Sequence, residues 1–352
     1  YDAKWGIRSK KTIQISNCEI ENCSIAGIYV WEEGTSNSST ITSCVINNNN
    51  SDEAAGILIW NCQSTVTVED CAINSNVYGI WVSNARPDIL NCDIKNNLKT
   101  GIMVTQYQSS IVTWPSIEWC LIQGNEQNGI YFDTGGHVSN TKIWENGYGI
   151  YCRYSSSSPF IDHSKIIQND AAGVRAANNA KPVLGDVAQG YGQNNSIYDQ
   201  SIFVYTTPQN TIMAENCYWG TQPGMPPLPN KFKGDVDYDP YLEYDPVTYL
   251  APRSRSKPSV LSLSQSYPNP SVKGGTTILY SIPSENQRVS LIIYDVSGRR
   301  IKTLVSKTQA AGNYRVNWDG TNDRGRAVAP GIYFYQLTVG NKPLTRKMVL
   351  FK

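Results

Sequence analysis

Long apolar runs are missing from this chain of 352 residues. The longest, such as Gly331 to Val339, fall far below the roughly 20 residues needed to cross a bilayer, so no transmembrane segment is expected. No apolar amino-terminal block follows a basic start, as a secretory leader would require. The chain begins at Tyr1 without methionine, as expected where a targeting peptide has been removed or the sequence is a fragment. Charge is also scarce: charged residues are 17% of the chain and the net charge is +1. No nucleic-acid partner is expected from that balance. What is there, 40% hydrophobic residues, is enough to bury a core and argues against disorder. The length suggests two domains or one long repetitive one.

The near-zero charge hides a division. Residues 251–352 hold 16 Lys+Arg and 4 Asp+Glu, a balance of +12; the totals of 30 and 29 leave 14 and 25 for residues 1–250, a balance of −11. All nine cysteines and 26 of the 32 asparagines also precede residue 251. Composition therefore places a domain boundary there.

The first part is a repeat reading aliphatic-x-x-Cys-x-Ile-x-x-Asn, a short gap, then Gly-Ile. Cys18, Cys44, Cys71, Cys92, Cys120, Thr141 and Ser164 hold the Cys position. Five residues on stand Cys23, Asn49, Asn76, Asn97, Asn125, Asn146 and Asn169, followed by Gly27, Gly56, Gly79, Gly101, Gly129, Gly149 and Gly173. Gly6 with Ile7 reads as the end of a further coil. The glycines recur every 20 to 29 residues, a period too short and too β-branched for paired helices but suited to a solenoid of short strands. Stacking would align the asparagines into a hydrogen-bonded column.

This frame resembles the right-handed parallel β-helix family that includes pectate lyases and periplasmic copper-site maturation repeat proteins, over about residues 1–245. The segments Asn216-Cys217-Tyr218-Trp219-Gly220 and Gly234-Asp235-Val236-Asp237-Tyr238-Asp239-Pro240-Tyr241-Leu242 resemble its closing segment. Five of the nine cysteines then occupy one inward column as small core residues. The pairing of Cys23, Cys62, Cys152 and Cys217 stays open.

The resemblance raises polysaccharide lyase and hydrolase chemistry, which needs Ca²⁺-binding carboxylates with a base, or paired carboxyl groups. Ile161-Asp162-His163 resembles part of a pectate-lyase signature, yet it occupies the same frame as Ile89-Leu90-Asn91, and Phe160 stands where the family has Trp. Asp133-Thr134-Gly135-Gly136-His137 reads as a solvent-exposed turn. Asp235, Asp237 and Asp239 alternate as Ca²⁺ ligands could, but coincide with the closing strand. No catalytic residue, metal site or cofactor is assigned.

The outward residues are more informative. Period-two alternation sends Gly+1 and Gly+3 inward and Gly+2 outward. That outward column reads Arg8, Tyr29, Leu58, Trp81, Met103, Tyr131, Tyr151 and Arg175, with Trp31 and Trp60 at the next outward position. An apolar strip of this length calls for an occupant. A glycan, a partner subunit or a loop of the same chain would each fit, the last through the insertions Glu32 to Ser43 and Gln106 to Ser116. The expected binding residues are Tyr29, Trp31, Trp60, Trp81, Tyr131 and Tyr151.

Residues 251–262 have linker composition. After them, alternating runs at Thr276 to Ile282, Val289 to Val296, Tyr314 to Trp318, Ile332 to Val339 and Lys347 to Phe351 suggest a small antiparallel sandwich over residues 263–352. The strings Tyr267-Pro268-Asn269-Pro270, Thr277-Ile278-Leu279-Tyr280-Ser281-Ile282-Pro283, Ile293-Tyr294-Asp295-Val296-Ser297-Gly298-Arg299, Trp318-Asp319-Gly320, Gly331-Ile332-Tyr333-Phe334-Tyr335 and Lys347-Met348-Val349-Leu350 resemble two related families. These are the carboxy-terminal sorting domain of type IX secretion substrates and the immunoglobulin-like domain of flagellar hook-capping proteins. The first implies export, with the secretion machinery as a partner, and an extracellular or outer-surface location; it leaves open whether the domain is cleaved.

The expected fold is thus all-β: a right-handed parallel β-helix solenoid over residues 1–250, then an immunoglobulin-like sandwich. The expected function is non-catalytic binding of glycan or other surface material. A self-assembling filament or sheath subunit, in which opposite charges favour head-to-tail contact, is the second class. A polysaccharide lyase or hydrolase is the third.

Overall fold

The computed structural model describes residues 3–31, 38–51, 53–107, 110–186, 194–207, 211–223, 225–247, 261–263, 266, 276–284 and 286–351. Two compact units, Tyr1–Arg253 and Ser254–Lys352, divide the chain. Most of the expected linker, together with Tyr267 to Pro270 and the first half of the Glu32 to Ser43 insertion, lies outside the described residues.

The first unit is a parallel solenoid with three long sheets of ten, seven and eight strands among the described residues. One rung shows how the sequence builds it. Val66–Glu69 lies in the seven-stranded sheet, Ala72–Asn74 in the eight-stranded sheet and Tyr78–Ser83 in the ten-stranded, or broad, sheet. Between them Asp70 and Ser75 each take φ of 55°, the left-handed conformation that turns the chain in one residue. The next rung repeats this at Asn91 and Asn96, both at 52°. Asparagine adopts this conformation more readily than most side chains. The residue before each Cys-column position, and the residue before each Asn-column position, is therefore a corner. Corner amides pair between rungs, as when Asn91 N–H donates to Glu118 O at 2.9 Å.

Inside the corners run the asparagines. Asn97 accepts from the Asn76 backbone N–H at 3.0 Å, and its amide donates to Asn125 Oδ1 at 2.7 Å. Asn125 repeats this with Asn146, and Asn146 with Asn169, all but fully buried. The column continues past the expected frame to Gln200, whose Oε1 accepts from Asn169. The following glycine is inward-facing as well. A Cβ on Gly79 would lie 2.8 Å from Ile94 Cγ2, 3.0 Å from Asn97 Nδ2 and closer still to the Gly101 carbonyl.

The cysteine column has a common role too. Cys44, Cys71 and Cys92 each donate S–H to the carbonyl two residues earlier at 3.3 Å, and Cys120 does so at 3.5 Å. Thr141 and Ser164 make the same bond with hydroxyls at 2.9 and 2.8 Å, which is why they can stand in. Asn195 and then Cys217 extend the column. Cys62 bonds the Trp60 carbonyl, Cys152 faces inward from the broad sheet, and Cys23 donates its backbone N–H to Asn49. All nine are free thiols.

The closing segment forms an aromatic plug. Trp219 stacks on Phe203 at 5.7 Å and meets Phe232 edge-on at 4.9 Å, while Phe232 stacks on Tyr238 at 4.8 Å. Asp235–Asp237 pairs in parallel with Thr211–Met213. Asp235 and Asp239 are exposed and Asp237 is half-buried.

The second unit packs a three-stranded sheet against a four-stranded antiparallel one around Ile278, Tyr280, Leu291, Ile293, Trp318 and Tyr335. Two strands there were not expected from sequence: Ser262–Leu263, which takes the last residue of the expected linker, and Arg300–Gln309. The terminal strand also begins earlier than expected, spanning Lys342–Leu350.

Candidate binding face

The broad sheet aligns the outward column rung by rung. Register pairs run Arg8, Tyr29, Leu58, Trp81, Met103, Tyr131, Tyr151 and Arg175, then continue to Tyr205 and Lys233. The Gly+1 and Gly+3 side chains are buried beneath it from Ile28 and Val30 to Val174 and Ala176. Because the glycine and the following residue both face inward, alternation breaks there, and before Gly79 and Gly149 the preceding residue packs against the outer rings, whereas Ala26, Ala55, Thr100, Asn128 and Ala172 at the same position are buried. This places Tyr78 and Tyr148 on the face, which simple period-two counting misses.

The rings form three clusters. Arg8 lies over Trp5 at 4.4 Å and Trp31 at 4.2 Å, with Tyr29 and Trp31 5.0 Å apart. In the middle, Trp81 contacts Trp60 at 6.4 Å and Tyr78 at 5.3 Å, and its Nε1 donates to Thr105 Oγ1 at 3.0 Å. Tyr107, which is 51% exposed, lies 4.8 Å from Trp60, so the Gln106 to Ser116 insertion covers part of the strip. In the third cluster, Tyr151 contacts Tyr131 at 5.6 Å and Tyr148 at 5.5 Å, and Arg175 stands 5.0 to 5.2 Å from the rings of Tyr148, Tyr151 and Tyr205. Its Nη1 also donates to Tyr148 OH at 2.6 Å.

These rings are not fully open to solvent. Tyr29, Trp31, Trp60, Trp81 and Tyr151 are half-buried by one another and by the cations. Tyr131 is buried, at 9% exposure. Its hydroxyl donates to Asp133 Oδ1 at 2.6 Å and accepts from Arg153 at 3.4 Å. Burial, with the Asp133 carboxylate as acceptor, pushes the phenol well above its usual value, and burial also raises the Asp133 carboxyl.

A second cluster lies on the seven-stranded sheet. The turn Asp133 to His137, expected in solvent, is packed instead: Thr134 and His137 are buried and Gly135 lies flat against the Trp114 ring. Register sets Phe160–Asp162 beside His137–Ser139, so both histidines of the chain reach Asp162. His137 Nε2 is 3.3 Å and His163 Nδ1 3.8 Å from its carboxylate. Burial pushes the Asp162 carboxyl up, but the two histidines outweigh it and hold it well below the usual range. The Asp162 hydrogen bond in turn raises His163. Glu118, two rungs away in the same column, is 3% exposed and accepts from Ser116 Oγ at 2.6 Å. An ionised carboxylate locked between imidazoles and a buried glutamate make a poor acid/base pair for a polymer in solvent. Among the described residues no three His, Cys, Asp or Glu side chains are grouped to hold a metal.

Residues 5–90 and 85–224 match the family model described as the right-handed beta helix region. The chain belongs to the right-handed β-helix family. In this β-helix protein, residues 269–342 also match the FlgD Ig-like domain. No curated protein matches the chain. Among solved structures, it is similar to PorZ, an essential bacterial surface component of the type-IX secretion system of Porphyromonas gingivalis, at 22% identity and a TM-score of 0.20. That match covers 26% of this chain and spans about a tenth of PorZ (11%). A tailspike protein from Acinetobacter baumannii bacteriophage Fri1, a capsular polysaccharide depolymerase, is similar at 8% identity and a TM-score of 0.32, covering 99% of this chain and 80% of its own. No helix among the described residues is long and apolar enough to cross a membrane.

Proposed function

We propose that this β-helix protein is exported, works at the outer cell surface or beyond it, and binds glycan on the ring-lined face of the broad sheet without cleaving it. The observation that carries the reading is the continuous outward register from Arg8 to Lys233, made of rings and cations with Leu58 and Met103 among them. Each rung advances about 4.8 Å, so the rings line a path along the solenoid axis. An extended polymer can lay successive C–H faces on such a path, and the phenol and guanidinium groups can bond its hydroxyls. The non-catalytic part of the reading is supported by the burial of Glu118 and the double histidine contact of Asp162. Export through a type IX route is supported by the sorting-domain-like strings of the second unit.

Pull-down of the full chain on insoluble polysaccharides tests the reading. Wild-type protein is expected to be retained by at least one polymer, and Trp81→Ala with Tyr151→Ala to lose at least about tenfold in affinity, the 1.4 kcal/mol that one such ring contact supplies. Retention that both changes leave intact, or none for the wild type, contradicts it. Released reducing ends or unsaturated products would instead favour the lyase or hydrolase reading.

A further inference from the structure

The half-buried rings of the broad sheet are close together but not coplanar. Trp60 meets Trp81 at 71°, Tyr78 meets Trp81 at 56°, and Tyr148 meets Tyr151 at 44°. Among the described residues the smallest angle between touching rings of this face is the 31° of Tyr29 and Trp31. A flat surface stacks only on rings that share its plane, because a ring turned edge-on no longer offers its π face.

Tyr107 takes the face further from flatness. In register, the small, buried Ser83 stands between Trp60 and Thr105. From beyond Thr105, Tyr107 leans back across that gap and meets Trp60 at 42°, with half of its own surface still exposed. Its place is fixed by the loop behind it. The Tyr107 backbone N–H and Gln106 Nε2 both donate to Asn84 Oδ1, at 3.0 and 3.1 Å. Gln106 Nε2 also reaches the Ile111 carbonyl at 3.1 Å, and Gln106 Oε1 accepts from the Thr113 N–H at 2.7 Å. Thr113 Oγ1 closes the knot, donating to the Thr105 carbonyl at 2.8 Å and accepting from the Asn84 N–H at 2.7 Å. A ring held this way needs little further ordering when a ligand arrives.

These angles divide glycans by their packing. The parallel chains of a crystalline polysaccharide present one plane, which would lie flat on at most one ring of each cluster and would meet the fixed, exposed ring of Tyr107 first. A single solvated chain turns at each glycosidic bond, so successive sugars can meet rings of different tilt. Resting on the glycan reading above, we infer that the broad sheet takes individual solvated glycan chains, gripped at its middle rungs by the corner of Tyr107, Trp60 and Trp81, and does not take the face of a packed polysaccharide. Tyr107 is thereby a binding residue that the outward column does not contain.

Affinity electrophoresis of the full chain in gels cast with soluble neutral and anionic glycans, run beside co-sedimentation with acid-swollen and microcrystalline cellulose and chitin, tests it. At least one soluble or swollen polymer is expected to retain the protein, and neither microcrystalline solid to sediment it. Tyr107→Ala, a change at an exposed side chain, is expected to weaken retention at least about fivefold, and Tyr107→Phe, which keeps the ring, to weaken it less. Sedimentation with a microcrystalline solid as strong as with its swollen form, or retention that Tyr107→Ala leaves intact, would overturn this inference and leave the glycan reading standing. Retention by no polymer in any form would remove both.

Discussion

Asparagine serves two geometries in this chain, and only one is visible from spacing. The asparagines that recur five residues after the Cys position form the expected column. Asn22, Asn48, Asn91, Asn96 and Asn140 instead occupy left-handed corners, a role set by φ that no hydropathy pattern encodes. The column carries stability because each amide satisfies a backbone N–H that has no other partner. Asn97→Ala removes the acceptor of Asn76 N–H and the donor to Asn125, at a site with 0% exposure. A loss on the order of 3 kcal/mol is expected in urea unfolding, since each buried group left unpaired costs about 1–3 kcal/mol; an unchanged midpoint would deny the column its role. The thiols make a second residue-scale prediction. Burial raises Cys44, the Cys92 thiol followed by burial raises Cys71 well above its usual value, and burial takes Cys152 and Cys217 up to about 12. At neutral pH a thiol reagent should therefore label at most the half-buried Cys18 in the native protein, and all nine cysteines after unfolding. Native labelling of several thiols would contradict the stacked column.

Elements were legible where burial is one-sided. The rungs repeat because one face is core, and the outward ring column follows from that alternation. Tyr78 and Tyr148 escaped it because the inward glycine breaks the period. Arg300–Gln309 escaped for another reason: it is an edge strand of the four-stranded sheet, mostly exposed or half-buried, so its three cations and four polar side chains cost little and its apolar signal is diluted. The packing of Asp133 to His137 was hidden because Trp114, which covers Gly135, comes from another rung. At that element the structure predicts a pH dependence. Asp162 is held below its unfolded value of about 3.9, so its contribution is present above that pH and is lost as pH falls. His163 is raised above about 6.5, so its contribution is full below that pH and is lost as pH rises through the raised value. Thermal melts should thus show a modest loss of stability of the solenoid just above pH 6.5 that His163→Gln abolishes. A variant with the same loss would place its cause elsewhere.

At the scale of the whole molecule, the charge division was fully legible, since it needs only counting: −11 before residue 251 and +12 from there on. Charges of that size attract across chains at low ionic strength and are screened beyond about 10 Å at 0.1 M salt. If head-to-tail assembly is part of the protein's work, sedimentation should show oligomers at low salt that dissociate at high salt; monomers in both would remove the filament reading.

The account rests most heavily on the outer face of the broad sheet, and oxidative footprinting of the full chain with and without a retained polysaccharide tests that directly. Trp60, Trp81 and Tyr151 are predicted to be protected by the polymer, while Trp114 and Trp144, which lie on the other two sides of the solenoid, keep their free reactivity. Protection confined to Trp114 or Trp144, with Trp60, Trp81 and Tyr151 oxidised as in the free protein, would contradict the central claim.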